Sequence, residues 1–148
     1  MEEARVLIVS SFLLLREGIS ALLSNDPRWR VVGHVAQGEG VRRVAMQAQA
    51  DIIIVDMPRA DAALIRDLRK VPGAPAIIAL SRDADEHTLL RILRAGVQGC
   101  LSEESSSNDL ITALAAATQG ASFLCPAASR ALLQDYRRRL QEQVRSGT

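Results

Sequence analysis

The residues best placed to do chemistry sit at the ends of apolar runs. Ser10 and Ser11 close the run Arg5 to Val9, Asp56 closes Asp51 to Val55, Ser81 closes Ala76 to Leu80, and Glu103 follows Gly99 to Ser102. In an open parallel sheet the carboxyl ends of the strands form the edge where ligands bind. A carboxylate with hydroxyls around it at such an edge has the scaffold of a phosphoryl-accepting pocket. Ser10 and Ser11 bring hydroxyls but no carboxylate to that edge, so the pocket is poor in charge. No Ser-His-Asp order, Cys-His pair or glycine-rich phosphate loop occurs in the chain. His34 and His87 have no partners at triad or metal spacing and read as structural or surface residues.

The elements that position these residues alternate. Strands are predicted at 5–9, 30–35, 52–55, 76–80 and 98–101, and helices at 12–24, 38–49, 61–70, 85–95 and 106–119. The first, third and fourth strands are apolar throughout, as expected of strands covered on both faces. Leu14, Ile19, Leu22 and Leu23 make one face of the first helix; Leu89, Leu90, Ile92 and Leu93 do so in the fourth. Ser105 to Ser107 and Asn108-Asp109 offer N-caps to the fifth, and Gly96 and Gly120 sit where two helices should stop. Five βα repeats predict an α/β fold: a doubly wound, five-stranded parallel sheet, flavodoxin-like, with strand order 2-1-3-4-5. The expected organisation is a body over 1–121 and a C-terminal helical segment over 122–148. Ser122 to Pro126 reads as a turn, with Pro126 at a helix start. After it, Leu132, Tyr136, Leu140 and Val144 recur every four residues and Leu133 widens the stripe. That helix either docks on the body with a solvated basic face, or serves as a linker or dimer helix.

Composition narrows the class. At 148 residues with 48% hydrophobic and 3% aromatic content, the core must be aliphatic. No apolar run reaches the ~18 residues of a membrane span, and the acidic Met-Glu-Glu-Ala start argues against a signal peptide. A cytoplasmic location is expected. Cys100 and Cys125 have neither metal-ligand nor disulfide-framework spacing and are expected to be reduced, buried thiols. Net charge is +1, yet residues 126–148 hold five Arg against Asp135 and Glu142, leaving the body at −2. The body is therefore no basic nucleic-acid platform.

Several segments together resemble the receiver domain of response regulators, closest to the NarL/FixJ (LuxR-type) subgroup. They are Arg5 to Val9, Leu15 to Leu23, Val31 to Gly38, Asp51 to Asp56, Leu90 to Leu101 and Ser122 to Leu133. The resemblance implies the CheY-like fold and a phospho-acceptor at Asp56, with Ser81 as the switch hydroxyl. It also implies that the family's metal-binding acid pair aligns with Ser10 and Ser11, its phosphate-pairing Lys with Glu103, and its switch aromatic with Cys100. The loop Asp56 to Asp61 is about three residues shorter than usual, which puts a backbone metal ligand in doubt. Mg²⁺ dehydrates reluctantly and wants carboxylate oxygens, so one Asp and two hydroxyls should bind it weakly or not at all. With Glu103 in place of a cation, an added phosphate meets repulsion. Swapping +1 for −1 at ~4 Å changes a pair by roughly 8 kcal/mol at an effective dielectric of about 20, and exposure of Glu103 reduces this to about one or two.

Simpler roles exist for each position. Asp56 could hydrogen-bond the shortened loop, Ser10 and Ser11 could cap the first helix, Ser81 could cap the turn before Asp83 and Asp85, Glu103 could be solvated, and Cys100 could fill space. The expectation is a degenerate pseudo-receiver, not an enzyme, acting in transcription regulation through protein contacts largely independent of phosphorylation. The alternatives are a phosphorylatable receiver using Asp56 and a small-molecule sensor. The resemblance further implies a homodimer (through the first and fifth helices, or the face from the fourth strand to the fifth helix), a possible sensor kinase, and DNA contact only through a helix-turn-helix domain absent from this chain. Leu132, Tyr136, Leu140 and Val144 form a further candidate contact surface. A linker of the subgroup's type favours an excised receiver half over a stand-alone protein.

Overall fold

A computed structural model describes residues 3–36, 40–57, 61–82 and 85–147. Strands β1 (Ala4–Val9), β2 (Trp29–Val35), β3 (Ile52–Met57), β4 (Ala76–Ser81), β5 (Gly99–Leu101) and β6 (Phe123–Leu124) form one sheet of order β2-β1-β3-β4-β5-β6, parallel throughout. Between them run α1 (Leu13–Ser24), α2 (Val41–Ala48), α3 (Ala62–Leu68), α4 (Glu86–Ala95), α5 (Ser107–Thr118) and, last, α6 (Pro126–Arg145).

The expected order holds for five strands, and the sheet gains a sixth. Ser122 to Pro126 is not only a turn: Phe123 and Leu124 pair with Gly99 and Cys100 before Pro126 opens α6. Two residues are too few to show an alternation in sequence.

Side-chain alternation divides the core into two layers. Leu7, Val9, Ile53, Val55, Ile77 and Ala79 face α2, α3 and α4. Val6, Ile8, Ile52, Ile54 and Ile78 face α1 and α5 through Ile19, Leu23, Leu110 and Leu114. Each such aliphatic side chain contributes about 1.5–3 kcal/mol on full burial. This two-sided burial explains why Val6 to Val9, Ile52 to Val55 and Ala76 to Leu80 are apolar throughout. The helices start and stop on local signals. Ser106 and Asp109 form a reciprocal capping box at α5, Asp85 caps α4 by accepting from the Thr88 N–H, and Asp61 caps α3 through the Leu64 N–H. Gly96 ends α4 at φ +104°, a left-handed conformation that excludes most other residues.

A third, smaller cluster joins α4, β5 and α6: Leu89, Leu90, Cys100, Cys125, Ala128 and Ala131. The face of α6 that docks is therefore built from its alanines. The stripe singled out in the sequence is exposed, with Tyr136 59% and Val144 80% accessible. Ion pairs fix the docking: Arg94 to Asp135 at 2.9 Å and Arg138 to Glu86 at 3.3 Å, with Arg139 pairing with Asp135 within α6.

Candidate functional site

Asp56 follows Ile52 and Ile54 on the layer facing α1 and α5, and Ser10 follows Val6 and Ile8 on the neighbouring strand. The alternation thus delivers both side chains to one point at the sheet edge, where Ser10 is fully buried and Asp56 is 2% exposed. The Ser10 hydroxyl donates to Asp56 Oδ2 at 2.8 Å and accepts from the Phe12 N–H at 3.0 Å. Ser10 therefore shapes the turn into α1 without capping it, since α1 begins at N-cap Phe12 with no side-chain cap. Ser11 is exposed, outside this cluster.

The principal partner of Asp56 is one the sequence reading missed. Arg82, the first residue past β4, lays its guanidinium across the carboxylate: Nε donates to Oδ1 at 3.0 Å and Nη2 to Oδ2 at 2.9 Å. This two-point fork is the strongest common geometry between a cation and a carboxylate. The Asp56 end is buried while the Arg82 side chain stays 40% exposed. The expectation of a pocket without a positive partner is thereby corrected. The cation comes from the end of β4, whereas the aligned position after β5 is an exposed glutamate, Glu103. The clue in the sequence was Arg82 directly after a strand that borders the Asp56 strand. Its aim, however, depends on the path of the chain leaving β4.

Ser81 is not brought to Asp56. In the β3–β4 ladder Asp56 stands opposite Leu80, and Ser81 lies one position on, facing the other layer. Its Oγ is buried and makes no hydrogen bond among the described residues. Ser81 borders a cavity of about 600 Å³ with Asp85, Ser102, Glu103, Glu104, Pro126 and Arg130. Asp56 and Arg82 instead close one end of a groove of about 560 Å³, whose apolar lining includes Leu15, Ile19, Leu22 and Leu110 of α1 and α5. The suggested cap by Ser81 of the turn before Asp83, and the shortened loop over 58–60, lie outside the described residues.

Cys100 is fully buried at the position of the expected aromatic. It meets Cys125 instead of solvent. A hydrogen bond to the Cys125 sulfur, together with burial, pushes the Cys100 thiol far up. The same bond, with the Ala128 and Ala127 amides and the Ser102 hydroxyl, lowers Cys125 to about 6 against the opposing effect of burial. His34 accepts from Arg16 Nε at 3.0 Å on the surface, and His87 is exposed.

The donor set does not suit Mg²⁺. Among the described residues no group of three His, Cys, Asp or Glu converges, and the Asp56 carboxylate is bridged by a guanidinium carrying its own positive charge. The arrangement neutralises Asp56 internally and ties the end of β3 to the segment that leads into α4. No helix among the described residues is long and apolar enough to cross a membrane.

Comparison with known proteins gives a consistent answer. The sequence profile of the response regulator receiver domain matches residues 6–115. The chain is 28% identical over 141 residues to the transcriptional regulatory protein DegU of Brevibacillus brevis, covering 93% of this chain and 60% of that protein. It is 29% identical to the nitrate/nitrite response regulator protein NarL of Escherichia coli K12, covering 92% and 64%. The chain thus spans a little under two thirds of the length of these relatives. Its fold is similar to a LuxR-family two-component response regulator from Aurantimonas (TM-score 0.80, 22% identity, 91% and 99% covered). It is also similar to the isolated receiver domain of RcsB from Salmonella enterica serovar Typhimurium (TM-score 0.75, 22% identity, 88% and 99% covered). At these identities the structures speak for the fold alone.

Proposed function

The chain belongs to the response regulator receiver family, and we propose that it is the receiver part of a LuxR-type transcriptional regulator whose pocket is held by an internal ion pair in place of a metal and a phosphoryl group. In this reading residues 1–121 are the regulatory body, 122–148 are the linker, and DNA is reached through a domain outside this chain. The observation that carries it is the Arg82 fork on buried Asp56. Attack by Asp56 on a phosphodonor needs a free carboxylate oxygen and a divalent ion to offset the incoming charge. Here a hydroxyl and a guanidinium engage those oxygens, and Ser10 and Ser11 supply no carboxylate. With the β4 end anchored on Asp56, and with Cys100 in place of a mobile ring, the usual two-state element is missing. Signalling then runs through contacts of a fixed conformation, including a homodimer that uses the exposed stripe Leu132, Tyr136, Leu140 and Val144.

Intact mass after incubation with acetyl phosphate and Mg²⁺ tests this. The expected result is an unchanged mass. A stoichiometric gain of about 80 Da, one phosphoryl group, that disappears in Asp56→Asn would establish the phosphorylatable reading instead.

A further inference from the structure

We propose that the cavity between the start of α4, the turn after β5 and the start of α6 binds a linear aliphatic di- or polyamine. Its volume is about 600 Å³, within the ~300–1,000 Å³ of small-molecule sites. Asp85, Glu103 and Glu104 line it, and among the described residues Arg130 is the only basic side chain on the lining. No ion pair among the described residues engages Glu103, Glu104 or Arg130. Asp85 accepts the Thr88 N–H at 2.8 Å, which holds its carboxyl below the usual range. Three carboxylates against one guanidinium leave the lining at −2. A second observation is independent of that charge. Ser81 is 2% exposed, and its Oγ has no hydrogen-bond partner among the described residues. Along β4 it follows Ile77 and Ala79 on the layer that faces α4. Leu89 of α4 and the α4 cap Asp85 wall the cavity on that side, and Ser81 lines it with them. A buried hydroxyl left unpaired costs free energy that a donor seated in the cavity recovers.

The chemistry of the lining selects the occupant. A divalent ion needs several carboxylate oxygens converging on one point, and no group of three His, Cys, Asp or Glu among the described residues does so. The acids are instead distributed around a wide space, which matches a cation whose charges are separated by methylenes. An ammonium group carries three N–H donors and no acceptor. One N–H goes to Ser81 Oγ and the others to the carboxylates, while Leu89, Pro126 and Ala127 offer apolar surface to the methylenes. The amino ends of α4 and α6 favour anions, with about half a positive charge each. Against −2 on the side chains the cavity stays negative, so inorganic phosphate is repelled. An occupant touches the start of α4, the turn after β5 and the first turn of α6 at once. Binding therefore favours the docked position of α6, because a ligand stabilises the state that presents all of its contacts. Neither Asp56 nor Arg82 lines this cavity, so the inference stands or falls separately from the phosphorylation reading.

The test is spermidine titrated into the whole folded chain at constant ionic strength, read by proton–nitrogen amide NMR. The expected result is saturable one-to-one binding, with shifts centred on Ser81, Ser102 to Glu104 and Ala127. Glu103→Gln with Glu104→Gln should weaken it about three- to tenfold, and Ser81→Ala about tenfold or more. Glu3→Gln with Glu17→Gln removes the same charge outside the cavity and should leave the affinity unchanged. Shifts that scatter over the acidic surface without saturating overturn the proposal. So does equal affinity in Glu103→Gln with Glu104→Gln, or the same shifts produced by Mg²⁺ or inorganic phosphate at lower concentration than spermidine. Because the mapping is done on wild-type protein, the outcome does not depend on any variant folding.

Discussion

Removing the Arg82 side chain is the most demanding perturbation of the site. Asp56 is 2% exposed and receives two hydrogen bonds from Arg82 and one from Ser10. Stripping the partner from a fully buried ion pair costs about 3–5 kcal/mol. The guanidinium here is 40% exposed on its own side, so water can partly re-solvate the carboxylate, and about 2–3 kcal/mol is expected for Arg82→Ala. Asp56→Asn keeps the shape and the Ser10 contact and leaves a half-exposed cation that water can satisfy, so it should cost less, about 1–2 kcal/mol. If the fork is the interaction lost in both, the double variant costs less than the two singles together, with a coupling of about 1.5–2 kcal/mol. Arg82→Lys keeps the charge but not the fork and should fall between wild type and Arg82→Ala. Urea unfolding of the four proteins measures the cycle, with an unchanged m-value as the check that the denatured state is the same. In thermal scans Arg82→Ala should melt about 5–10 °C lower, at roughly 2–4 °C per kcal/mol for a chain of this size. A coupling below about 0.5 kcal/mol would refute the reasoning, because the pair would then be a surface contact of no structural consequence.

Other expectations follow from separate parts of the molecule. Gly96→Ala should destabilise by about 1–2 kcal/mol in urea, since φ is +104° and a Cβ would lie 2.5 Å from Arg69 Nη1. Asp26 is held down to about 2 from 3.8, first by the hydrogen bond from the Arg28 side chain and next by the Arg28 backbone amide. A carboxylate with a lowered folded-state pKa adds stability above the unfolded value and loses it as pH falls through the folded one. Wild type should therefore lose stability relative to Asp26→Asn between about pH 3.8 and 2, and an NMR titration of Asp26 should show the low midpoint. Leu140→Glu with Val144→Glu should convert a dimer to a monomer by light scattering while leaving the melting point within about 2 °C, because both side chains are exposed. A wild-type monomer would remove the dimer claim.

Much of this architecture could be read from residue order because the central strands are buried on both faces. Val6 to Val9 and Ile52 to Val55 are apolar at every position, and strands covered on both faces account for such short, uninterrupted runs bounded by polar residues. The acidic and hydroxyl residues that follow them necessarily fall at the sheet edge, as Asp56 and Ser10 do. Ser81 also closes its strand, but one step along a strand reverses the face, and only the β3–β4 register shows that Leu80, not Ser81, stands opposite Asp56. Arg82 escaped notice because the aim of a long side chain in a connection is set by tertiary packing, not by local pattern. The docking face of α6 escaped for the opposite reason. Ala128 and Ala131 are small enough to let α6 approach α4 closely, while the larger Leu and Tyr residues that dominate the periodic signal point outward.

The way α6 lies on α4 has a mechanical consequence. Its 20 residues span about 30 Å, clamped from Ala128 to Arg138 by alanine packing and two inter-helix ion pairs. The remaining stretch to Arg145 projects as a cantilever of about 10 Å. A load fused to that tip would be carried at a fixed bearing, and any twist applied to it would be delivered as torque to α4 and back along the chain to the β4 end.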